Sequence, residues 1–365
     1  MNAVSIIMAI FAVIAAIDLM IGNKLGLGKE FEKGINMLGN LVLSMLGMIV
    51  LAPLFVQVLS GPLETISSVV PISPSAFIGS IIANDMGGAP ICESMTQGSD
   101  VGYFSGLIIG SMMGATVSFT LPFVMGAVDK SQRKSMLLGL LCGICTIPIG
   151  CLIGGLISGL DILTVLINLS PLLVLSGILA LGLLVFPKIS VKIFNILGIV
   201  IRVVVIGGLA LGIFEYLTGL ELIPGTAPEV TLGGVETIFN IACVMAGAFP
   251  LLHIVSTLLK KPLRALSSKV GMNETSTLGF ISTLATSVTT FGMMKDMDDK
   301  GVVLNSAFAV SAAFTLADHL AYTLSFNEKY LPAVITGKLI SGILAVALAA
   351  IIYKKTATGK KNLVK

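Results

Sequence analysis

The sequence predicts an all-α polytopic membrane protein, and three observations carry that prediction. Only 11% of the 365 residues are charged, against about 25% in a soluble domain. The mean hydropathy is +1.03. Apolar stretches long enough to cross a bilayer recur along the whole chain. They are continuous rather than alternating, which argues against a β-barrel. No polar stretch is long enough for a separate soluble domain, so 1–365 is read as a single membrane domain.

Nine spans are read in chain order, at about 3–22, 36–59, 103–128, 135–158, 162–186, 193–217, 235–259, 302–326 and 331–353. The first is apolar from Ala3 with no basic residues before it, so it reads as a span rather than a removed signal. Its one carboxylate, Asp18, reads as interfacial or capping. The third carries Gly102, Gly106, Gly110 and Gly114 at every fourth position, a small-residue face that lets another segment approach closely. The fourth holds Cys142 and Cys145. With no βαβ pattern around them, all five cysteines read as buried apolar side chains. Arg202 in the sixth span and Lys338 in the ninth read as counter-ions or snorkelling side chains. His253 in the seventh reads as structural. The eighth carries Asp318 and His319, which could bind a cation or relay a proton.

Two more segments are too polar and too broken to be ordinary spans. In 74–95, Asp85 is followed at once by Gly87, Gly88 and Pro90. A carboxylate at bilayer depth costs about 2.5–3.5 kcal/mol on insertion scales. Broken backbone there is tolerated only where it is buried in protein or lines a wet cavity. Glu93 lies on the exit arm of the same segment. The second, 275–294, holds a run of hydroxyls at Ser282, Thr283, Thr286, Ser287, Thr289 and Thr290.

Charge placement sets the topology. If both broken segments are re-entrant and the N-terminus is outside, 19 of the 22 basic residues fall in inner loops or the tail. The C-terminus is then inside. One segment enters from each side. Ser80, Ala83 and Met95 match Ser282, Ala285 and Met297 at one offset, and Ala307, Ser311 and Thr315 answer three of the glycines at another. This predicts an inverted repeat, with 3–158 as the first half, 162–186 as a linking helix and 193–353 as the second half. Broken segments in equivalent places are a mark of secondary transporters.

The intramembrane chemistry leans anionic. Asp85 and Asp318 are its carboxylates, and Asn84, His319 and the hydroxyls are neutral partners. Phe119, Phe291, Phe314 and Tyr322 offer faces to an ammonium. The pattern suits a small cation with a hydrogen-bonding group. Asp296, Asp298 and Asp299, between Lys295 and Lys300, read as a solvated cluster. No phosphate-binding loop and no His-Glu-x-x-His occurs. A Na⁺- or H⁺-coupled carrier of another polar solute, or an intramembrane enzyme using Asp85 and Asp318 as a carboxylate pair, are the competing readings.

Several stretches resemble the bacterial ethanolamine-utilisation transporter family, EutH. They are Ala83-Asn84-Asp85-Met86-Gly87-Gly88, Thr146-Ile147-Pro148-Ile149-Gly150-Cys151, and the long run from Phe291 to Leu320 that ends in Ala317-Asp318-His319-Leu320. The likeness extends to Gly337-Lys338-Leu339-Ile340. It implies uptake of ethanolamine, a small protonated amine, across the cytoplasmic membrane of a bacterium. It implies no enzyme activity, no cofactor, no metal and no nucleic-acid partner. Ethanolamine and the lipid bilayer are the expected partners, and a homo-oligomer stays open. The family pattern carries an aromatic after the Gly-Gly pair, where this chain has Ala89. The substrate-binding set is Asn84, Asp85, Gly87, Gly88, Thr286, Thr289, Thr290, Asp318 and His319.

Overall fold

The computed structural model describes residues 3–129 and 131–362. These residues form helices joined by short turns, which we number in chain order. The long ones are α1 (Ala3–Met20), α2 (Leu27–Val69), α5 (Asp100–Val124), α6 (Arg133–Ile157), α9 (Pro187–Thr218), α10 (Pro228–Val270) and α15 (Leu331–Asn362). Between them lie α3 (Pro74–Ile81), α4 (Gly88–Met95), α7 (Ile162–Asn168), α8 (Ser170–Val185), α11 (Glu274–Ala285), α12 (Ser287–Gly292), α13 (Asp299–Ala312) and α14 (Asp318–Asn327).

Among the described residues, seven helices are long and apolar enough to cross a membrane, and an eighth if α7 and α8, bent by 42°, count as one span. The count of nine expected from the sequence is not reproduced by length and composition. The expected span 302–326 is not continuous: the helix stops at Ala312, the chain turns through 313–317, and a helix restarts at Asp318. Phe314 there has a φ of 63°.

Both broken segments fold back on themselves. In the first, Pro74 opens α3 in the first turn, where its missing N–H is no loss. The chain extends at Ile82 and Ala83, makes one tight turn at Asn84–Met86, and reverses at Gly87 with φ 92°. Helix α4 returns so that the Cys92 thiol reaches the Ser75 carbonyl at 3.3 Å. In the second, the Asn273 side chain caps α11 by accepting from Ser276 N–H at 2.8 Å. The return arm brings the Asp296 carbonyl to Asn273 Nδ2 at 2.8 Å. Asp298 accepts from the Asn273 amide at 3.1 Å and from the Ser276 hydroxyl at 2.5 Å. The expected solvated acids therefore tie the base of this hairpin together.

The two hairpins enter from opposite ends. Helix α5 starts beside the base of the first, where Tyr103 donates to Glu93 at 2.6 Å. Past its other end, Gln132 donates to the Met294 carbonyl at 2.6 Å and Ser135 to Asp299 at 3.2 Å, both at the base of the second.

Close packing replaces the hydrophobic effect as the force between helices in lipid. The first hairpin lies on the glycine stripe of α5, which is wound as a π-helix over Phe104–Gly114. A Cβ on Gly114 would stand 2.2 Å from the Ile82 carbonyl, and one on Gly106 would stand 2.8 Å from Ala89 Cα. Ala89 is small because α5 passes against it. Of the residues that answer this stripe, Ala307 and Ser311 lie on α13. Ala307 packs on Gly139 and Gly143 of α6, while Gly301 and Asn305 face the second hairpin.

Asp18 is a cap. Its carboxylate accepts from the amides of Leu25 at 2.8 Å, Leu27 at 2.9 Å and Gly28 at 3.0 Å, satisfying the start of α2. Three cysteines are buried as expected. Cys145 and Cys243 are instead exposed on the outside of the bundle.

Candidate functional site at the helix breaks

Three breaks meet. The Asn84–Met86 turn packs against α14. The unwound 313–317 segment lies on the tip of the second hairpin, where Phe314 N–H donates to the Thr283 carbonyl at 3.1 Å and Leu316 N–H to Leu284 at 2.9 Å. These bonds satisfy backbone groups that lipid could not. The other side of the 82–86 break is held by the Ser118 hydroxyl, which accepts from Ala83 N–H at 3.1 Å.

Asp85, in the Asn84–Met86 turn, and Asp318, the first residue of α14, are brought to one place by this packing. His319 Nε2 stands 3.9 Å from Asp85 Oδ1, with the imidazole 2% and the carboxylate 16% exposed. Asp85 precedes the start of α4 and Asp318 opens α14, so each carboxylate lies at a helix N-terminus. The aligned peptide dipoles there favour negative charge.

The polar atoms at this place lack partners. Asp85 Oδ1, Asp318 Oδ1, His319 Nδ1, both amide atoms of Asn84 and the Tyr322 hydroxyl are buried with no hydrogen bond. Buried polar groups in folded proteins are nearly always paired. Here several such atoms lie together, able to bond a further polar group.

Aromatic rings flank the cluster on two sides. Phe314 sits 5.3 Å from the His319 ring, and Phe119, Phe123 and Phe291 continue the row at 5.5, 5.7 and 6.2 Å between centroids. On the other side Tyr322 stacks on Phe326 at 5.4 Å, which meets Tyr103 at 6.3 Å. The aromatic residues singled out in the sequence are therefore neighbours of the carboxylates or of their row.

The hydroxyls divide. Thr290 is buried and structural: it pairs with the Thr283 hydroxyl at 2.9 Å and donates to the Gly279 carbonyl at 3.1 Å. Thr286 accepts from Val288 N–H at 3.3 Å and, with exposed Thr289, lines a separate cavity of about 260 Å³. That cavity also holds Glu30, Lys33, Phe249 and His253, with His253 Nδ1 3.8 Å from Glu30 and the Lys33 ammonium 4.6 Å above the Phe249 ring. His253, expected to be structural, thus has a charged neighbour in Glu30, which the sequence presents only as one charge among several in a polar loop. Gly87 and Gly88 shape the turn. A Cβ on Gly87 would press on Met48 at 2.8 Å, and one on Gly88 would meet the Ile82 carbonyl at 2.5 Å. Glu93 is held by Tyr103, and Arg202 is exposed.

A helical bundle with two opposed hairpins and ionisable side chains at its helix breaks belongs to the class of multi-pass membrane proteins that includes solute carriers. The chain belongs to the EutH family, whose model, described as "Ethanolamine utilisation protein, EutH", matches residues 1–352. It is 42% identical to the "Probable ethanolamine permease EutH" of Listeria monocytogenes, over 98% of this chain and 94% of that protein. The Escherichia coli protein of the same name is 35% identical over 98% of this chain and 96% of its own length. YxeR of Bacillus subtilis is 38% identical over 96% of this chain and 94% of its own. No solved structure matches the chain.

Proposed function

We propose that the protein carries ethanolamine inward across the bacterial cell membrane. The observation that supports this most is the pair Asp85 and Asp318, each with an oxygen that has no donor, set between aromatic rings at the helix breaks. Ethanolamine offers one ammonium and one hydroxyl. Its ammonium would take the carboxylates, and its hydroxyl would take Asn84 or His319, whose polar atoms are also unpaired. The cavity at Thr286 and Thr289 would serve as the inner vestibule, with the C-terminus on the cytoplasmic side. The names of the relatives agree with a permease rather than an enzyme.

Substrate-dependent thermal stabilisation of the purified protein tests this. A ligand at 100 times its Kd adds about 2.7 kcal/mol of stability. Ethanolamine is expected to raise the Tm more than serine, choline or Na⁺ does, and labelled ethanolamine is expected to enter proteoliposomes unmodified. Greater stabilisation by serine or choline, or chemical conversion of the ethanolamine, would replace the proposal. Proton coupling is the second reading, favoured by His319 beside Asp85. It requires uptake to follow an imposed pH gradient at zero potential.

A further inference from the structure

We propose that Tyr322 reads the substrate's hydroxyl, donating its phenolic O–H to that oxygen while the ammonium is held at Asp85 and Asp318. The inference rests on the reading of those two carboxylates as the ammonium site. It adds what tells ethanolamine from a plain alkylamine.

Tyr322 is 1% exposed, among the most deeply buried large side chains of the protein. Its hydroxyl has no hydrogen-bond partner among the described residues. A buried tyrosine hydroxyl ordinarily has one. Phenylalanine at this position would bury the same ring and orphan no polar atom, so packing alone does not call for the hydroxyl. Polar groups that weaken a fold in this way collect at sites of function.

Helix geometry places the phenol beside the carboxylates. Tyr322 follows Asp318 by one turn on α14, and residues four apart on a helix share a face, with about 5–6 Å between their Cβ atoms. Long side chains on a helix lean toward its N-terminus, so the phenol lies over the turn that Asp318 opens. Phe326 repeats the pattern one turn further on. Its ring stacks on that of Tyr322 at 5.4 Å and 15°, so the two lean the same way. The turn that carries Asp85 packs on this same helix.

The ring is held in place from behind. Phe326 backs it, Tyr103 meets Phe326 edge-on at 6.3 Å, and the Tyr103 ring lies 5.1 Å from that of Tyr330. Of the three tyrosines in this row, Tyr103 donates to Glu93 and Tyr330 to Asp100, while Tyr322 has no acceptor. The row therefore spends two hydroxyls on its own structure and leaves the one nearest the helix break free.

A substrate hydroxyl can donate one hydrogen bond and accept two. Asn84 Oδ1 can accept its hydrogen and the Tyr322 O–H can donate to its oxygen, so both buried atoms gain the partner they lack. n-Propylamine has the same charge and nearly the same shape, with a methyl in place of the hydroxyl. It leaves both atoms unpaired, and a site built to bond a hydroxyl rejects an analogue without one.

The test measures binding of ethanolamine and of n-propylamine to the full-length protein in detergent, by thermal shift and by competition, for the wild type and Tyr322→Phe. The wild type is expected to favour ethanolamine at least ~10-fold. Tyr322→Phe is expected to bring the two amines within about threefold, through weaker ethanolamine binding with n-propylamine binding held or improved. Without ligand, Tyr322→Phe is expected to melt no lower than the wild type, because it removes an unpaired buried group. A wild type that favours ethanolamine, with a Tyr322→Phe that keeps the preference, overturns the role of Tyr322 and leaves the hydroxyl to Asn84 or His319. A ligand-free Tyr322→Phe that melts clearly lower overturns it as well, since the phenol would then be bonded within the protein. A wild type that binds both amines alike overturns this inference and leaves the ammonium site standing. A wild type that binds no ethanolamine overturns the proposed function and this inference with it.

Discussion

His319 Nε2 lies 3.9 Å from Asp85 Oδ1, joining the tip of the first hairpin to the restart of the helix that follows the second. The two residues come from opposite halves of the chain, so the site exists only when both hairpins are in place. Asp85→Asn keeps the shape of the side chain and removes its charge. A hydrogen bond to a charged group contributes about 1.5–3 kcal/mol, so ethanolamine affinity is expected to fall at least ~10-fold. Titration of thermal stability with ethanolamine checks it. An unchanged Kd would show that Asp85 shapes the cavity without touching the cation.

The first break was legible in the sequence because it is written in local chemistry. Asp85, Gly87, Gly88 and Pro90 fall within an apolar stretch, and a carboxylate and three poor helix formers announce the turn on their own. The break at 313–317 gives no such sign. Ala312-Ala313-Phe314-Thr315-Leu316-Ala317 contains no glycine and no proline, and reads as plain helix. It unwinds because the amides of Phe314 and Leu316 find carbonyls on Thr283 and Leu284, some thirty residues earlier. Those bonds hold Phe314 at a φ of 63°, which a bulky residue rarely adopts. A partner brought by tertiary structure is outside the reach of periodicity. The same holds for the hydroxyl run, where spacing alone could not separate the buried Thr290 from the exposed Thr289.

That separation makes a prediction. Thr290→Val removes a hydroxyl that bonds both Thr283 and the Gly279 carbonyl inside the second hairpin. Leaving buried partners unpaired costs about 1–3 kcal/mol, so the Tm is expected to fall clearly. Thr289→Val touches a cavity wall and is expected to stay within about 0.5 kcal/mol of wild type. Thermal unfolding of the two variants side by side decides it. Equal losses would mean that Thr289 also braces the hairpin.

The glycine stripe of α5 gives a graded series. A Cβ at position 110 would approach the Asn84 backbone nitrogen at 3.1 Å, which a small shift relieves. A Cβ at position 114 would stand 2.2 Å from the Ile82 carbonyl and 2.7 Å from that of Gly79, both backbone. Overpacking of this kind typically costs about 1–3 kcal/mol. Gly114→Ala is expected to lower the Tm and displace the break that carries Asp85, with ethanolamine uptake lost. Gly110→Ala is expected to do less of both. The reverse order would show that the hairpin does not bear on α5 through its break.

If ethanolamine crosses alone as a monovalent cation, the membrane potential sets how far it accumulates. One elementary charge moved across 100 mV is worth about 2.3 kcal/mol. At about 1.4 kcal/mol per tenfold, that is nearly fiftyfold. Proteoliposomes with an imposed potassium-diffusion potential, inside negative, and equal pH on both sides are expected to approach this ratio and to stop there. Collapsing the potential is expected to abolish accumulation but leave downhill exchange intact. A ratio well above the ceiling, sustained with the pH gradient at zero, would require a co-transported cation such as Na⁺. A ratio that follows the pH gradient and ignores the potential would assign His319 and Asp85 to a proton relay instead.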